Sequence, residues 1–418
     1  MIRKPFFAPA KTRLPYTLPG KTVRPVQPMA LPEEATYMVD VPFGQGEASL
    51  AVGDQVLRGS LLAPLATSPA RAVCAVAGEV KSIGPFKDHE GRSRTRITIR
   101  VSSEDRADDS LGTKPGMEKA LKHLTGIAGN PDFTAFVRGG ASVDAVVILG
   151  MDQDLGVTAV QQVMTDRAGD LAAGVAAIKK ITGVSDVRLV VPPYLAGIAD
   201  PGCPVEMADP AYPNFLPAMV MKRHLGRVLP AGQKPEHAGV VFLNAEAVAN
   251  VGAAFASGTV AGEKVLTVVR KNGESVNVSA RVGTPVGRIL TAVHEEPAAG
   301  DRIVIGGPMR GHAVFSLDAP VEPDTDALMV QAAGTLPEIL DQACVNCGEC
   351  VRYCPARMPV NLLVRALENG LYEDAASRYD LLSCIECGLC SYVCIAHIPI
   401  FQYVMLGKHE LVKAASEA

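Results

Sequence analysis

The chain is 418 residues long, with 40 Lys and Arg against 44 Asp and Glu and a formal charge of −4. Hydrophobic residues make up 48% and charged residues 20%, a globular balance with room for roughly two to four domains with real cores. The slight acidity, the lack of Trp and an aromatic content of 5% exclude a polyanion partner and a base-stacking platform, so no nucleic acid is expected.

The N-terminal stretch MIRKPFFAPAKTRLPYTLPG has basic residues and prolines but no apolar segment and no small-residue cleavage site, so no export signal is expected. No window approaches about eighteen consecutive apolar residues, and no membrane span is expected. Residues 1–35 hold Pro5, Pro9, Pro15, Pro19, Pro25, Pro28 and Pro32, which block regular helix and central strand. Phe6, Phe7, Leu14, Tyr16 and Leu18 lie among them. The segment therefore reads as an extended arm lying over a domain or a partner.

Residues 36–102 read as short strands broken by turns: TYMVDVPF, VGDQVLRGSLLA, AVAGEVKSIG and SRTRITIRVS. Val52-Gly53-Asp54-Gln55-Val56 and Val76-Ala77-Gly78-Glu79-Val80 resemble the half-barrel repeats of biotinyl and lipoyl carrier domains. A carrier needs a lysine at the hairpin tip between the halves. TSPARAVCA stands there, with Arg71 and Cys74 but no lysine. A β half-barrel scaffold of the barrel-sandwich hybrid type is expected, with Cys74 a small buried residue.

Residues 103–260 begin with SSEDRADDS, a solvated linker, and EKALKHLTGIA, a short amphipathic helix. Strands VDAVVILG, SDVRLVVPP and HAGVVFLNA then alternate with helices near 158–182, 215–225 and 246–257. Apolar runs without period-two alternation, separated by helices, indicate a parallel sheet covered on both faces, a Rossmann-like α/β layer. Residues 261–320 return to β structure. KVLTVVRK-NG-ESVNVSARV predicts a hairpin with Asn272-Gly273 in a type I′ turn. VGTPVGRILTAV and DRIVIGGPMRG complete a small β-grasp-like domain of the SLBB kind.

Residues 321–418 hold eight of the ten cysteines, in two copies of C-x2-C-x2-C-x3-C. CVNCGECVRYCP supplies Cys344, Cys347, Cys350 and Cys354; CIECGLCSYVCI supplies Cys384, Cys387, Cys390 and Cys394. Pro355 follows the first set, and Ile395 stands where proline usually follows the second. Three cysteines spaced along a glycine-relaxed turn can put their sulfurs at three corners of one 4Fe–4S cube. The fourth heads a segment pointing away and suits the neighbouring cube, as in two-cluster ferredoxins. This assigns cluster one to Cys344, Cys347, Cys350 and Cys394, and cluster two to Cys384, Cys387, Cys390 and Cys354. A disulfide framework would need an oxidising compartment. A zinc site needs four ligands and would leave four thiols without a role. Between the loops, two short helices around Gly370 are expected to bury Leu362, Leu363, Leu367 and Leu371, giving a helical two-cluster ferredoxin domain. Cys203 has no second cysteine near it in sequence and is not expected to be a ligand.

The half-barrel, RVGTPVGRIL at 281–290, GGPMRG at 306–311 and the cysteine module occur together in this order. The combination resembles the RnfC family, the C-subunits of Rnf-type ion-translocating electron transport complexes, over most of residues 40–405. It is also similar to the flavin-carrying subunit of respiratory complex I and to cobalamin reductases of the same build. The resemblance implies a peripheral subunit on the cytoplasmic side of the cell membrane, bound to other subunits. It also implies two 4Fe–4S clusters and electron exchange with NAD(H) through FMN.

The family's flavin and nucleotide site rests on a GxGGAGFPT loop ahead of the first Rossmann strand, whose glycines bring backbone N–H groups to phosphate. Here the stretch is GIAGNPDFTAFVRGGAS. Gly126 and Gly129 remain, Pro131 removes a donor, and Asp132 puts a carboxylate beside the phosphate position. Gly139-Gly140 lacks the further glycine. The family's Glu-Cys-Glu after that strand is replaced by Gly150-Met151-Asp152-Gln153-Asp154. A degenerate FMN and NAD site is therefore expected, with no catalytic residue and single electrons relayed through the clusters. The expected partner is a one-electron carrier, ferredoxin or a cytochrome c subunit. Two alternatives stay open: an NAD(H)–FMN oxidoreductase subunit that tolerates the altered loop, and a soluble cobalamin-reductase-like protein.

Overall fold

A computed structural model describes residues 14–16, 26–66, 68–88, 91–137, 142–197, 200–335 and 343–417. Alternation builds the first layer. Ala35, Tyr37, Val39, Ile97 and Ile99 point inward and are buried, while their neighbours Glu34, Thr36 and Arg96 face out. Strands Glu34–Val39, Ser93–Val101, Gly78–Lys87 and Gln55–Val56 pair antiparallel in that order as a curled half-barrel sheet. The two repeat-like halves bind each other: Gly53 N–H donates to the Val80 carbonyl and Val80 N–H to the Asp54 carbonyl, both at 2.9 Å. Cys74 is fully buried, its thiol 3.2 Å from the Val76 carbonyl. Tyr37 donates to the Val282 carbonyl at 3.1 Å and accepts from Ala75 N–H at 2.8 Å, tying the half-barrel to the later β layer.

The second layer is a parallel sheet in the order Val205–Met207, Asp186–Val191, Ala145–Leu149, Val240–Asn244. Ala145–Leu149 is buried at every position, which is why its sequence is a continuous apolar run. The edge strand Val205–Met207 is too short to show a period. The helix expected near 158–182 is two, Ala159–Asp166 and Ala168–Thr182. Arg167 leaves helical geometry between them and bonds Asp170 at 2.9 Å and Asn250 at 2.7 Å. Helices Ala168–Thr182 and Ala245–Ser257 press together where Gly174 meets the Val248 carbonyl and Gly252 meets the Asp170 carbonyl. A Cβ at either glycine would collide with backbone.

A six-stranded sheet follows, in the order Gln27–Pro28, Ser275–Arg281, Glu263–Val269, Ala327–Gln331, Arg302–Ile305, His312–Val314. It takes one strand from the Pro-rich arm and runs past residue 320 to include Ala327–Gln331, which pairs parallel with Glu263–Val269. The 263–281 hairpin does not have the expected type I′ turn, because Asn272 keeps a negative φ and only Gly273 is left-handed, at 80°. Gly273 N–H donates to the Arg270 carbonyl and Arg270 N–H to the Glu274 carbonyl. This is a type I turn closed by a glycine bulge, which needs one positive φ instead of two. In the arm, Tyr16 is buried, bonding through its backbone to Pro210 and Gly156. Phe6, Phe7 and Leu18 lie outside the described residues.

From residue 343 on, the last module has helices Glu349–Tyr353, Val360–Glu368, Tyr372–Tyr379, Leu389–Tyr392 and Ile400–Glu417, and no strand among its described residues. Val360, Leu363, Val364 and Leu367 form one buried helical face. Leu362 and Leu371 are 41% and 52% exposed, against expectation. Leu362 falls off that face, and Leu371 lies in the turn between two helices. No helix among the described residues is long and apolar enough to cross a membrane.

Candidate metal centre

The two cysteine loops repeat each other in backbone conformation. Asn346 and Glu386, Gly348 and Gly388, and Arg357 and His397 are equivalent pairs, all with positive φ. Gly348 and Gly388, at 76° and 71°, open the short helices Glu349–Tyr353 and Leu389–Tyr392. Left-handed residues at these places fold the loop around a centre and turn its sulfurs to one side.

Two cavities result. One encloses about 360 Å³, its mouth included, and is lined by Cys344, Cys347, Cys350 and Cys394. The other measures about 420 Å³, its mouth likewise included, and is lined by Cys354, Cys384, Cys387 and Cys390. Each set takes three cysteines from one loop and the fourth from the other. The remaining walls are largely apolar, with Val364, Ile398 and Ile400 around the first and Met358, Leu363 and Phe401 around the second. None of the ten cysteines is in a disulfide, and Cys74 and Cys203 line neither cavity. Among the described residues, no three His, Cys, Asp or Glu side chains gather tightly enough for a single ion. A cube spreads its four thiolates more widely than one tetrahedral ion does. Soft sulfur donors in an apolar cavity fit a 4Fe–4S cluster.

Burial pushes the Cys350 thiol up to about 11 and the Cys387 thiol up to about 12, and raises Cys384 and Cys390 as well. The sulfurs within each set oppose one another's ionisation, and Glu386 adds to this at Cys384. Cys350 feels Cys344, Cys347 and Cys394, whereas Cys390 feels Cys384, Cys387 and Cys354. Four thiolates in one such cavity need positive charge at its centre, which iron supplies. Backbone N–H groups of Val351, Leu389 and Ser391 favour the thiolate forms of Cys350, Cys387 and Cys390. Lys408, on the last helix, holds the second loop through the Cys384 carbonyl at 2.8 Å and Glu386 at 2.6 Å.

The second loop is built into the rest of the molecule. Cys387 and Leu389 share a core with Tyr16, Tyr212, Phe215 and Met309. Tyr212 donates to the Cys387 carbonyl, and Gly388 abuts the Met309 carbonyl. Asp154 accepts from Met309 N–H at 3.1 Å and Arg310 N–H at 2.8 Å, so GGPMRG is a turn wedged between the α/β layer and the cysteine loop. Tyr16, Asp154, Tyr212 and Met309 carry no sequence signal for this role, since they come from four distant segments.

The described part of the expected flavin loop is engaged within the protein. Gly126 N–H donates to the Pro131 carbonyl at 3.0 Å, and Asp132 caps the turn Phe133–Phe136 through Thr134 N–H at 2.9 Å. Gly129 is left-handed and pressed against Ala247 N–H, at the start of helix Ala245–Ser257. Gly139 and Gly140 lie outside the described residues. Strand order reverses between Ala145–Leu149 and Val240–Asn244, the usual ligand crevice of such sheets. Asp152 follows the first of these strands and accepts from Val160 N–H at 2.8 Å and Gln161 N–H at 3.4 Å. Burial pushes its carboxyl up to about 6. Glu246 follows the second strand and is held by Lys264 at 2.5 Å and Val265 N–H at 2.7 Å.

Residues 336–395, which include all eight clustered cysteines, match the 4Fe-4S dicluster domain. The C-subunit of the ion-translocating oxidoreductase complex of Serratia proteamaculans is 28% identical over 367 residues, 79% of this chain and 51% of its own length. That of Citrobacter koseri is 28% identical over 408 residues, 89% of this chain and 56% of its own. The C-subunit of the proton-translocating ferredoxin:NAD(+) oxidoreductase complex of Clostridium ljungdahlii is 26% identical over 417 residues, 93% of this chain and 90% of its own. The chain thus spans about half the length of the first two relatives and nearly all of the third. Among solved structures, an NAD+-reducing NiFe hydrogenase in the air-oxidised state aligns at 16% identity, covering 73% of this chain and 63% of its own, with a TM-score of 0.44.

Proposed function

This chain is a relative of the C-subunits of Rnf-type ion-translocating oxidoreductase complexes, and from that premise we propose that it is the electron-transfer subunit of such a complex. It relays single electrons through two 4Fe–4S clusters. Cys344, Cys347, Cys350 and Cys394 hold one, and Cys354, Cys384, Cys387 and Cys390 the other. The observation that carries the reading is the partition of eight cysteines between two apolar cavities, each completed by a residue from the other loop. A bound cluster takes up and returns one electron at a potential set by burial and by hydrogen bonds to sulfur. The chain's own part is to fix the cysteines, line both cavities with apolar side chains and aim the N–H groups of Val351, Leu389 and Ser391 at sulfur. On this reading it is a peripheral subunit on the cytoplasmic side of the membrane. Its partners are the other subunits and a one-electron carrier such as ferredoxin or a cytochrome c.

The same proposal leaves FMN and NAD(H) out. Backbone donors that could take a phosphate at the strand-reversal crevice are engaged by Asp152 and Asn244, and Gly129 is packed against the helix start. A second reading, an NAD(H)–FMN oxidoreductase subunit, is favoured by the name of the clostridial relative, which includes ferredoxin:NAD(+). Anaerobic reconstitution with iron, sulfide and flavin counts decides between them. The first reading expects about eight iron and eight sulfide per chain and no flavin bands. One flavin per chain would select the second, and a chain that retains no iron would end both.

A further inference from the structure

The two cysteine loops share a backbone conformation and differ in charge. Corresponding residues lie forty apart, Cys344 matching Cys384, so Glu386 stands where the first loop has Asn346, and Lys408 where the first copy has Glu368. In the first copy the following helix reaches back with a neutral bond, Asn361 to Asn346 at 3.0 Å. In the second it reaches back with a cation. Lys408 Nζ donates to the Cys384 carbonyl oxygen at 2.8 Å and to Glu386 at 2.6 Å. The Lys408 side chain is only 20% exposed, whereas Glu368 faces solvent. Glu386 N–H donates to the Cys384 sulfur at 3.4 Å. At that sulfur the Lys408 charge favours the thiolate more than the Glu386 carboxylate opposes it.

Burial raises the Cys384, Cys387 and Cys390 thiols alike. The same burial disfavours the negative charge that an added electron brings to a cluster. A cation beside one ligating sulfur opposes that penalty, and a largely buried one is little screened by salt. We infer that Lys408 sets the reduction potential of the inner cluster, raising it through Cys384 against the effect of burial. The inference rests on the two-cluster reading and names the residue that tunes one of the two centres.

The test is a redox titration of the full chain with its iron restored, followed by electron paramagnetic resonance. In each step one electron passes from a reduced mediator to one cluster. Glu386→Gln keeps an acceptor for Lys408 but removes the opposing charge, so one step should become easier by about threefold or more in its equilibrium constant. Lys408→Met should make the same step harder by about tenfold, or about 59 mV for one electron. The other step should move less than about threefold in both variants. Where the wild-type steps coincide, the substitutions should split them. In a Cys350→Ala background, which leaves only the inner set complete, both shifts should persist. A lysine that merely braced the loop would lower the melting temperature in Lys408→Met and leave the potential of Glu386→Gln where it was. Shifts of the same sign in the two variants, shifts shared equally by both steps, or an unmoved Glu386→Gln overturn the inference. If Lys408→Met loses iron, Glu386→Gln decides the matter. A wild-type chain that takes up no iron, or one cluster only, is a different result and defeats the two-cluster reading beneath it.

Discussion

Tyr212 donates its hydroxyl to the Cys387 carbonyl oxygen at 2.5 Å, joining the α/β layer to the inner cysteine loop. Beside that bond, the Met309 carbonyl lies against Gly388, and Asp154 holds the Met309 turn from the other side. Three segments distant in sequence thus fix the position of one loop, while among the described residues its repeat around Gly348 is held within the module. The asymmetry is a property of the tertiary contacts, since the two loops share both spacing and backbone conformation.

It has a measurable consequence at the paired glycines. Both are left-handed, so alanine at either should cost about 1–2 kcal/mol of backbone strain. A methyl at 348 meets nothing within 4 Å, whereas at 388 it meets the Met309 carbonyl. Gly388→Ala should therefore cost a further 1–3 kcal/mol or so and loosen the inner loop. Thermal melting and iron content of the two variants check this, and equal losses would contradict the docked inner loop.

Cysteine replacement separates cluster from scaffold. Cys350→Ala should lose about four of about eight irons, because its cavity retains only three thiols. Cys74→Ala should keep all of them and cost about 1 kcal/mol for one buried sulfur. Iron quantitation on both variants is the measurement. Similar iron loss in the two would defeat the grouping.

How much of this could be read from the sequence follows the range of the forces involved. Three cysteines to a loop could be read because each loop is local and its spacing limits where sulfur can point, whereas the crossed fourth was an expectation taken from two-cluster ferredoxins. The strand Ala145–Leu149 was legible because burial on both faces writes a continuous apolar run. Tyr212, Asp154 and Met309 were not, since an ordinary tyrosine, acid or methionine acquires its role only from a neighbour far along the chain. Leu362 and Leu371 misled for a related reason: helix phase and turn position, not residue type, put them in water. Asn272-Gly273 marked a hairpin correctly but not its turn, because one left-handed glycine was enough.

The contact between the α/β layer and the six-stranded sheet includes a charge cluster that no residue pattern announced. Lys264 is fully buried between Glu246 at 2.5 Å and Asp326 at 2.8 Å. Removing the cation strands a buried carboxylate, so Lys264→Met should destabilise by about 3–5 kcal/mol. Adding Glu246→Gln to that variant should recover part of the loss, because the stranded charge is then gone. Urea unfolding of both proteins tests this. A single variant within about 1 kcal/mol of wild type would show that the cluster contributes little.

Asp152 gives the α/β layer a pH dependence of definite sign. Burial, with Asp326 nearby, raises its folded carboxyl to about 6, above the unfolded value near 3.9. The folded state therefore binds the proton more tightly. The resulting stability is fully present below about pH 4 and is lost as pH rises through about 6, up to roughly 3 kcal/mol in all. Between pH 5 and pH 7 about 1 kcal/mol of it should disappear. Asp152→Asn does not titrate but keeps an acceptor for Val160 N–H, which the wild-type carboxylate meets at 2.8 Å. Its stability relative to wild type should therefore improve by about that amount from pH 5 to pH 7. Urea midpoints followed by far-UV circular dichroism at the two pH values measure the difference. Parallel profiles for the two proteins would mean that Asp152 ionises in the folded chain as it does in water.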